Sequence, residues 1–253
     1  MRYSGSKSRI ASDILGIVTN GLSGDMLYIE PFVGGCNTFG LVNHPYKVGI
    51  DNNPYLIEMW KRFQCGYLPP IDVSRDDYEF LRGIARRNEF DSNYSWLVGY
   101  VLNSCSYGSA WCNGYASYNA NRGENHVLEA YNNLVNQLKL FHYFTDSSFI
   151  YGSYEDCEDI IDNNDNRDCI IYCDPPYQNT KGYMVDSFNH DVFWSWVRKM
   201  SIRDNCKVYV SEYTAPNDFK CIWEKGRKDG MSMSRRGDKQ STKVERLFVY
   251  SGN

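Results

Sequence analysis

Four consecutive residues, Asp174-Pro175-Pro176-Tyr177, combine types that could bind and orient a flat molecule carrying an amino group. They follow an apolar run that begins at Ile170, so we expect them at the carboxyl end of a strand, where open α/β sheets place their sites. Adjacent prolines fix the backbone and remove two N–H donors, so the Asp174 carboxylate and the Pro175 carbonyl can form a rigid pair of acceptors for an amine. Tyr177 could stack on a flat substrate. A strand that simply ends in a proline turn fits the same residues equally well.

A second string, Glu30-Pro31-Phe32-Val33-Gly34-Gly35, follows the first predicted strand and could form a ligand-binding turn. Adjacent glycines permit a tight turn and a close approach of a ligand to the backbone. The string lacks the full Gly-x-Gly-x-x-Gly pattern of dinucleotide-binding dehydrogenases. Asp51, followed by Asn52, ends the next predicted strand 17 residues after Gly34. An acid at that position accepts ribose hydroxyls in nucleoside-binding folds, so the two features predict an adenosine-like cofactor.

These motifs lie at the ends of predicted strands that alternate with amphipathic segments. This alternation is typical of an α/β domain with a mostly parallel sheet. The predicted strands cover residues 26–29, 46–50, 149–151, 169–173, 207–211 and 247–250. Helical periodicity covers residues 10–18, 55–63, 78–87, 127–140 and 192–200.

One segment, residues 103–125, departs from the alternation. It is rich in Asn, Ser, Gly and aromatic residues, and its only charged residues are Arg122 and Glu124. Neutral amides interleaved with flat rings could read nucleic-acid bases, and they could equally form a loop packed by its own tyrosines. Together with the helical patterns beside it, the segment predicts a mainly helical insertion at residues 76–145. Residues 1–75 and 146–253 then form the sheet domain.

The charge of the chain is unevenly distributed. The formal net charge is −4, from 27 basic and 31 acidic residues, which by itself disfavours a nucleic-acid partner. However, residues 2–9 contain three basic residues and no acid, and residues 225–246 contain eight basic residues against three acids. Residues 153–168 carry seven acids against one arginine, a run typical of a solvated face. The two basic ends could meet in space and hold phosphates.

Composition excludes several other classes of protein. Nine cysteines without a Cys-x-x-Cys spacing and four isolated histidines favour reduced thiols and no metal site. Mean hydropathy is −0.54, and no apolar run approaches the length of a membrane span or a secretory signal. We therefore expect a cytoplasmic protein, bacterial or, if phage-encoded, in the host cytoplasm, with no membrane association.

In this order, the motifs resemble those of the Dam-type DNA adenine-N6 methyltransferases, a family that uses S-adenosylmethionine. Tyr3-Ser4-Gly5-Ser6-Lys7 is similar to the family's aromatic-x-Gly-x-Lys cofactor motif. Residues 30–35 are similar to its methionine-side loop, Asp51 to its ribose-binding acid and residues 174–177 to its catalytic motif. Residues 121–125 resemble part of its DNA-recognition hairpin, and residues 242–247 resemble the segment before its last strand. The resemblance spans nearly the whole chain.

Three departures from the family pattern stand out. Cys36 occupies the position of a second loop glycine. Ser211-Glu212-Tyr213, after the fifth strand, differs from the more common Ser-Asn ending, and we assign these three residues no role. The insertion shares little with the best-known members beyond Arg122-Gly123, so the resemblance implies no particular target sequence.

The resemblance implies an α/β fold, a Rossmann-like methyltransferase sheet that is mostly parallel with a terminal antiparallel strand, plus a small helical target-recognition insertion. It implies double-stranded DNA as partner, and we expect a monomer or weak dimer without an obligate protein partner. The implied catalytic residues are Asp174, Pro175, Pro176 and Tyr177. The implied cofactor-binding residues are Tyr3, Lys7, Glu30, Pro31, Phe32, Gly34, Gly35, Asp51, Asn52 and Asp174. The basic ends and the insertion supply the candidate DNA contacts Arg9, Tyr118, Asn119, Arg122, Asn125, Arg235, Arg236, Lys239 and Lys243.

The expected reaction is direct methyl transfer to the exocyclic amine of a flipped-out adenine. Cys173 precedes the catalytic motif, but strand alternation turns it away from Asp174, which disfavours the covalent route of C5-cytosine methylation. Methylation of another planar amine, such as cytosine N4, adenine in RNA or a glutamine side chain, remains an alternative. So does a DNA-binding relative without catalytic activity.

Overall fold

A computed structural model describes residues 1, 3, 5–91, 93–116, 123, 125–178, 188–227 and 243–252. Within these residues one sheet contains seven strands in the spatial order β3-β2-β1-β4-β5-β7-β6. The strands are β1 (Leu27–Glu30), β2 (Lys47–Asp51), β3 (Ser148–Tyr151), β4 (Cys169–Cys173), β5 (Cys206–Glu212), β6 (Phe219–Arg227) and β7 (Lys243–Tyr250). The strands from β3 to β5 pair in parallel, and β7 pairs antiparallel with both β5 and β6. The predicted Rossmann-like fold class is therefore confirmed.

Five of the six predicted strands shift by one to four residues at an end, and β4 has the predicted bounds. The prediction missed β6 altogether. This strand lies at the edge of the sheet, where Glu224 and Lys225 are exposed, and an irregularity in its pairing between Cys221 and Trp223 interrupts the alternation of side chains. A polar edge strand with a bulge carries little of the period-two signal from which strands are predicted.

Helices connect β2 to β3, β3 to β4 and β4 to β5, and they cover both faces of the sheet. They are α1 (Ala11–Val18), α2 (Pro54–Gln64), α3 (Arg75–Arg86), α4 (Ser95–Ser104), α5 (His126–Leu138), α6 (Cys157–Asp162) and α7 (His190–Ser201). The acidic run at 153–168, predicted to be a solvated face, contains the short helix α6, which also buries Cys157 and Ile161. Local sequence explains several helix starts, because Asn53 caps α2 ahead of Pro54 and Ser74 forms a capping box with Asp77 at α3.

Two hydrophobic clusters form the core, one on each face of the sheet. Tyr28 and Tyr172 face the cluster that contains Trp60 of α2, whereas Ile29 and Ile171 face the cluster around α7. This division follows from strand geometry, which sends successive side chains to opposite faces. Parallel strands buried on both faces explain the continuous apolar runs at β1 and β4.

Helices α3, α4 and α5 lie between β2 and β3 in the chain, where the insertion is predicted. Helix α4 packs directly on α2, and Gly99 makes this possible because a Cβ there would overlap the carbonyl oxygen of Tyr55. Buried residues of all three helices join the same hydrophobic cluster as Tyr28 of the sheet. The division of the chain at residues 76–145 stays a prediction. Among the described helices, none has the length and apolarity needed to cross a membrane.

Candidate active site

The sequence motifs meet at one edge of the sheet. Glu30 and Asp51 end the adjacent parallel strands β1 and β2, and Asp174 directly follows β4 on the other side of β1. A cavity of about 810 Å³ opens at this edge. Its walls include nine of the residues predicted to bind cofactor or act in catalysis, namely Tyr3, Lys7, Phe32, Gly34, Gly35, Asp51, Asn52, Asp174 and Pro176. Such sheets bind ligands at the carboxyl ends of their strands, at the point where the strand order reverses.

The N-terminal motif packs against the glycine loop. A Cβ at Gly34 would lie 2.9 Å from a ring carbon of Tyr3, and one at Gly35 would lie 2.8 Å from the Cβ of Tyr3. Gly34 also has a positive φ of 43°, a conformation that glycine adopts without strain. The two glycines are therefore required by the close approach of Tyr3, and the two motifs form one wall of the cavity.

Cys36 completes the turn of this loop. It has a φ of 51° and is fully buried, so a cysteine here adopts the left-handed conformation that glycine favours. At this departure from the family pattern, the cysteine itself forms a left-handed turn.

Asp51 ties the loop to the end of β2. Its two carboxylate oxygens accept hydrogen bonds from the backbone N–H groups of Gly34 and Asn53, each at 2.9 Å. Burial raises the pKa of Asp51 to about 6, although both of these hydrogen bonds oppose the shift. Asp51 therefore shapes the loop and also presents acceptor oxygens at the cavity wall.

Glu30 occupies a buried position beneath the loop rather than the cavity wall. Its carboxylate accepts hydrogen bonds from the hydroxyls of Tyr28 at 2.6 Å and Thr38 at 2.9 Å. Burial raises its pKa to about 8. Neither Glu30 nor Pro31 is part of the described cavity lining, so direct cofactor contacts by these two residues stay predictions.

The predicted catalytic motif, residues 174–177, is held by an ion pair with the N-terminal motif. Lys7 Nζ lies 2.8 Å from Asp174 Oδ1, and the Lys7 side chain is only 5% exposed. Burial raises the pKa of Asp174, and the nearby Lys7 ammonium acts in the opposite direction. Cys173 packs into the opposite hydrophobic cluster with α7, as strand alternation predicts.

Tyr177 is more enclosed than a stacking platform would be. Its ring is 7% exposed and lies under the Lys7 ammonium, 4.4 Å from Nζ to the ring centroid, and it contacts Tyr213 edge-on. The hydroxyl donates to Glu245 Oε2 at 2.8 Å. The ring does not line the described cavity, so stacking of a base on Tyr177 stays a prediction.

The candidate DNA contacts are only partly within the described residues. Arg9 is exposed and lines a second cavity of about 710 Å³, and Asn125 is exposed but uses its side-chain oxygen to cap α5 through the N–H of Leu128. Lys243 is the first residue of β7, and its side chain is not among the parts of the chain that the structure describes. Outside the described residues lie Tyr118, Asn119, Arg122, Arg235, Arg236 and Lys239. Their predicted roles stay predictions.

Four residues around the site were not identified from the sequence. Glu212 at the end of β5 accepts the backbone N–H groups of Gln178 and Tyr213, and burial raises its pKa to about 7. Gln137 of α5 donates to the carbonyl of Gly35 at 2.9 Å. The other two are Lys47, whose ammonium donates to three backbone carbonyls, and Glu245. An acid that directly follows a predicted strand was a usable signal for Glu212, whereas no local pattern distinguishes Gln137.

The strand order and the placement of these motifs define a Rossmann-like methyltransferase. Residues 3–218 match the family described as D12 class N6 adenine-specific DNA methyltransferase. The chain belongs to this family of enzymes, which confirms the resemblance inferred from the motifs.

The chain is also similar to two individual proteins. The chain is 26% identical over 203 residues to the Retron Ec67 DNA adenine methylase of Escherichia coli, an alignment that covers 76% of this chain and 68% of that protein. Among solved structures it is similar to the rRNA methyltransferase aviRa of Streptomyces viridochromogenes, with a TM-score of 0.43, 11% identity and coverage of 96% of this chain and 84% of that one.

Proposed function

We propose that the protein transfers the methyl group of S-adenosylmethionine to N6 of an adenine at specific sites in double-stranded DNA, by direct transfer to a flipped-out base. The observation that carries the proposal is the position of Asp174, whose partly exposed carboxylate lines the same cavity as Asp51 and the glycine loop. The proposed site for the amine would thereby be adjacent to the proposed site for the nucleoside.

The residues around the cavity fit S-adenosylmethionine. A volume of about 810 Å³ lies within the range of roughly 300–1,000 Å³ that is usual for ligand pockets. Asp51 and Asn52 would hold ribose hydroxyls, and Tyr3, Gly34 and Gly35 would line the methionine side. When bound, S-adenosylmethionine supplies a methyl group activated by its sulfonium centre.

Asp174 and the Pro175 carbonyl would orient the adenine amine. The amine conjugates with its ring and is a weak nucleophile, so its two hydrogens need acceptors that hold it in a reactive orientation. Positioning of this kind contributes about 7–11 kcal/mol in favourable intramolecular reactions. Because transfer is direct, it requires no nucleophilic side chain, which is consistent with the burial of Cys173 on the opposite face of the sheet.

Base flipping would bring the adenine to this edge of the sheet, at a cost of a few kcal/mol. The basic segments at residues 2–9 and 225–246 would bind phosphates, and the insertion at 76–145 would contact the bases. Such phosphate contacts make the affinity for DNA fall steeply with salt concentration.

The direct test is an assay for the modified base. The protein is incubated with labelled S-adenosylmethionine and mixed-sequence duplex DNA, and the DNA is digested to nucleosides. We expect N6-methyladenine; N4-methylcytosine instead, or no product from protein that binds the cofactor, would contradict the proposal.

A substitution separates catalysis from DNA binding. Asp174→Ala should lower kcat at least about 100-fold, because the amine loses its charged acceptor, while DNA affinity stays within a few-fold. Asp162→Ala is the matched control, since Asp162 is an exposed acid that pairs with Arg203 away from the cavity. Asp174→Ala with wild-type kcat would refute the assignment.

A further inference from the structure

A buried glutamate on β7 joins the catalytic motif to the N-terminal motif. Glu245 is 2% exposed, and its Oε2 accepts the hydroxyl of Tyr177 at 2.8 Å. The same oxygen lies 3.9 Å from Lys7 Nζ, which lies 2.8 Å from Asp174 Oδ1. Two acids, one ammonium and one phenol, contributed by three distant parts of the chain, therefore form a single enclosed cluster.

Each contact of Glu245 restricts a different member of this cluster. The hydrogen bond to Tyr177 fixes the phenol end of a ring whose face is covered by Lys7 at 4.4 Å. The longer contact with Lys7 gives the ammonium a second carboxylate beside Asp174. Low dielectric strengthens such interactions and also makes the loss of one partner costly for the others. Glu245 itself is absent from the described cavity lining, so it acts from behind the site.

We propose that Glu245 is a positioning residue of the methyl-transfer site, which holds the hydroxyl of Tyr177 and the ammonium of Lys7 so that Asp174 faces the substrate amine in a fixed orientation. The inference rests on the proposed function, because it assigns Glu245 a part in that reaction. It contacts no reacting atom and acts through Tyr177 and Lys7.

The test compares the steady-state kinetics of three variants. Glu245→Ala should lower kcat about 10- to 100-fold, while the affinity for S-adenosylmethionine, measured by titration calorimetry, changes by less than about three-fold. Tyr177→Phe removes the hydroxyl and keeps the ring, and should lower kcat about 10-fold. Glu245→Gln keeps an acceptor for the hydroxyl but loses the charge facing Lys7, and should recover part of the activity lost in Glu245→Ala.

A double-substitution cycle distinguishes positioning from general destabilisation. If Glu245 acts through the Tyr177 hydroxyl, Glu245→Ala combined with Tyr177→Phe should lower kcat little more than Glu245→Ala alone. Glu224→Ala is the matched control, because this neighbouring glutamate on β6 is exposed and pairs only at the surface with Arg246 among the described contacts; it should leave kcat unchanged.

Two outcomes overturn the inference. One is a kcat within two-fold of wild type for Glu245→Ala, or for Tyr177→Phe should the alanine variant fail to fold. The other is a double variant whose loss equals the product of the single losses. Failure of the proposed function would look different, because the wild-type protein would then form no N6-methyladenine at all.

Discussion

Replacing Lys7 by methionine tests the electrostatic balance of the candidate site. The ammonium is 5% exposed and lies 2.8 Å from Asp174 and 3.9 Å from Glu245. At an effective dielectric constant of about 20, an ion pair at 2.8 Å is attracted by about 6 kcal/mol, part of which offsets the cost of desolvating the two groups. Removing one partner of a buried pair typically destabilises a protein by about 3–5 kcal/mol. Because Asp174 is 23% exposed and water can solvate it, we expect about 3 kcal/mol for Lys7→Met.

The loss of folding stability in Lys7→Met should increase with pH. Burial and Glu245 raise the pKa of Asp174, and Lys7 opposes both effects. Without Lys7 the pKa of Asp174 rises further, so the folded state binds more protons than the unfolded state and stability falls as the pH rises. The penalty of Lys7→Met should therefore be greater at pH 8 than at pH 5.5.

Urea unfolding at these two pH values measures the effect, with Lys61→Met as control. Lys61 pairs with Glu58 at 3.0 Å on the surface, where such a pair contributes about 0–1 kcal/mol. Adding Asp174→Asn to Lys7→Met should restore part of the lost stability, since the unpaired carboxylate is removed. A penalty below about 1 kcal/mol at pH 8, or an equal penalty at both pH values, would refute this reasoning.

Three further substitutions test the surroundings of the site. Glu30 has a pKa near 8, so its contribution to stability is present below about pH 4.5 and is lost as the pH rises to 8. Glu30→Gln should remove this pH-dependent loss of stability, which is up to about 5 kcal/mol in urea unfolding at different pH values. Gln137→Ala deprives the Gly35 carbonyl of its donor and should weaken S-adenosylmethionine binding about 3- to 10-fold in calorimetry. Gly99→Ala should destabilise the protein by about 2–3 kcal/mol in urea unfolding, because the new Cβ overlaps the Tyr55 carbonyl and pushes α4 away from α2.

Each of these expectations can fail in a specific way. An unchanged pH slope for Glu30→Gln would mean that this carboxyl titrates alike in the folded and unfolded states. Unaltered cofactor affinity for Gln137→Ala would mean that the hydrogen bond from α5 to the Gly35 carbonyl does not contribute to cofactor binding. For Gly99→Ala the control is Gly16→Ala in α1, where a Cβ meets no atom within 4 Å and should stabilise the helix by up to about 1 kcal/mol. Equal effects at the two glycines would contradict the packing argument.

The sequence predicted the central strands and the motif positions well, for a local reason. Strands β1, β2 and β4 are buried on both faces, so their apolar runs are visible without knowledge of their neighbours. Because the carboxyl ends of parallel strands share one edge, the element order alone placed Asp51 and Asp174 at the same edge of the sheet, whereas the strand order that brings them to one cavity comes from the structure. Edge strand β6 was missed because an irregularity in its pairing interrupts the alternation of side chains, and helix α6 was missed because its 6 residues are too few to show a helical period.

The contacts behind the site were not predictable in the same way. Tyr177 has the composition of a stacking residue, yet the structure encloses its ring between Lys7 and Tyr213. Glu212, assigned no role from the sequence, accepts the N–H of Gln178, the residue that follows the predicted catalytic motif. These contacts join segments far apart in the chain, namely the N-terminal motif, the residues after β4 and the end of β5, and no local pattern specifies how they pack together.

The sequence by itself determined which chemical groups are available and in which order they occur: a carboxylate before two prolines, a glycine loop and an acid at successive strand ends. Only the tertiary structure decided which of them interact, as when Lys7 at the N-terminus pairs with Asp174 and Glu245 from the far half of the chain. The physical reason is that the periodic pattern of side chains along a strand or helix, and the residue types that form turns, are properties of residues close together in the sequence. Pairing of buried charges instead depends on the packing of the whole sheet, which brings distant segments together and excludes water from between them.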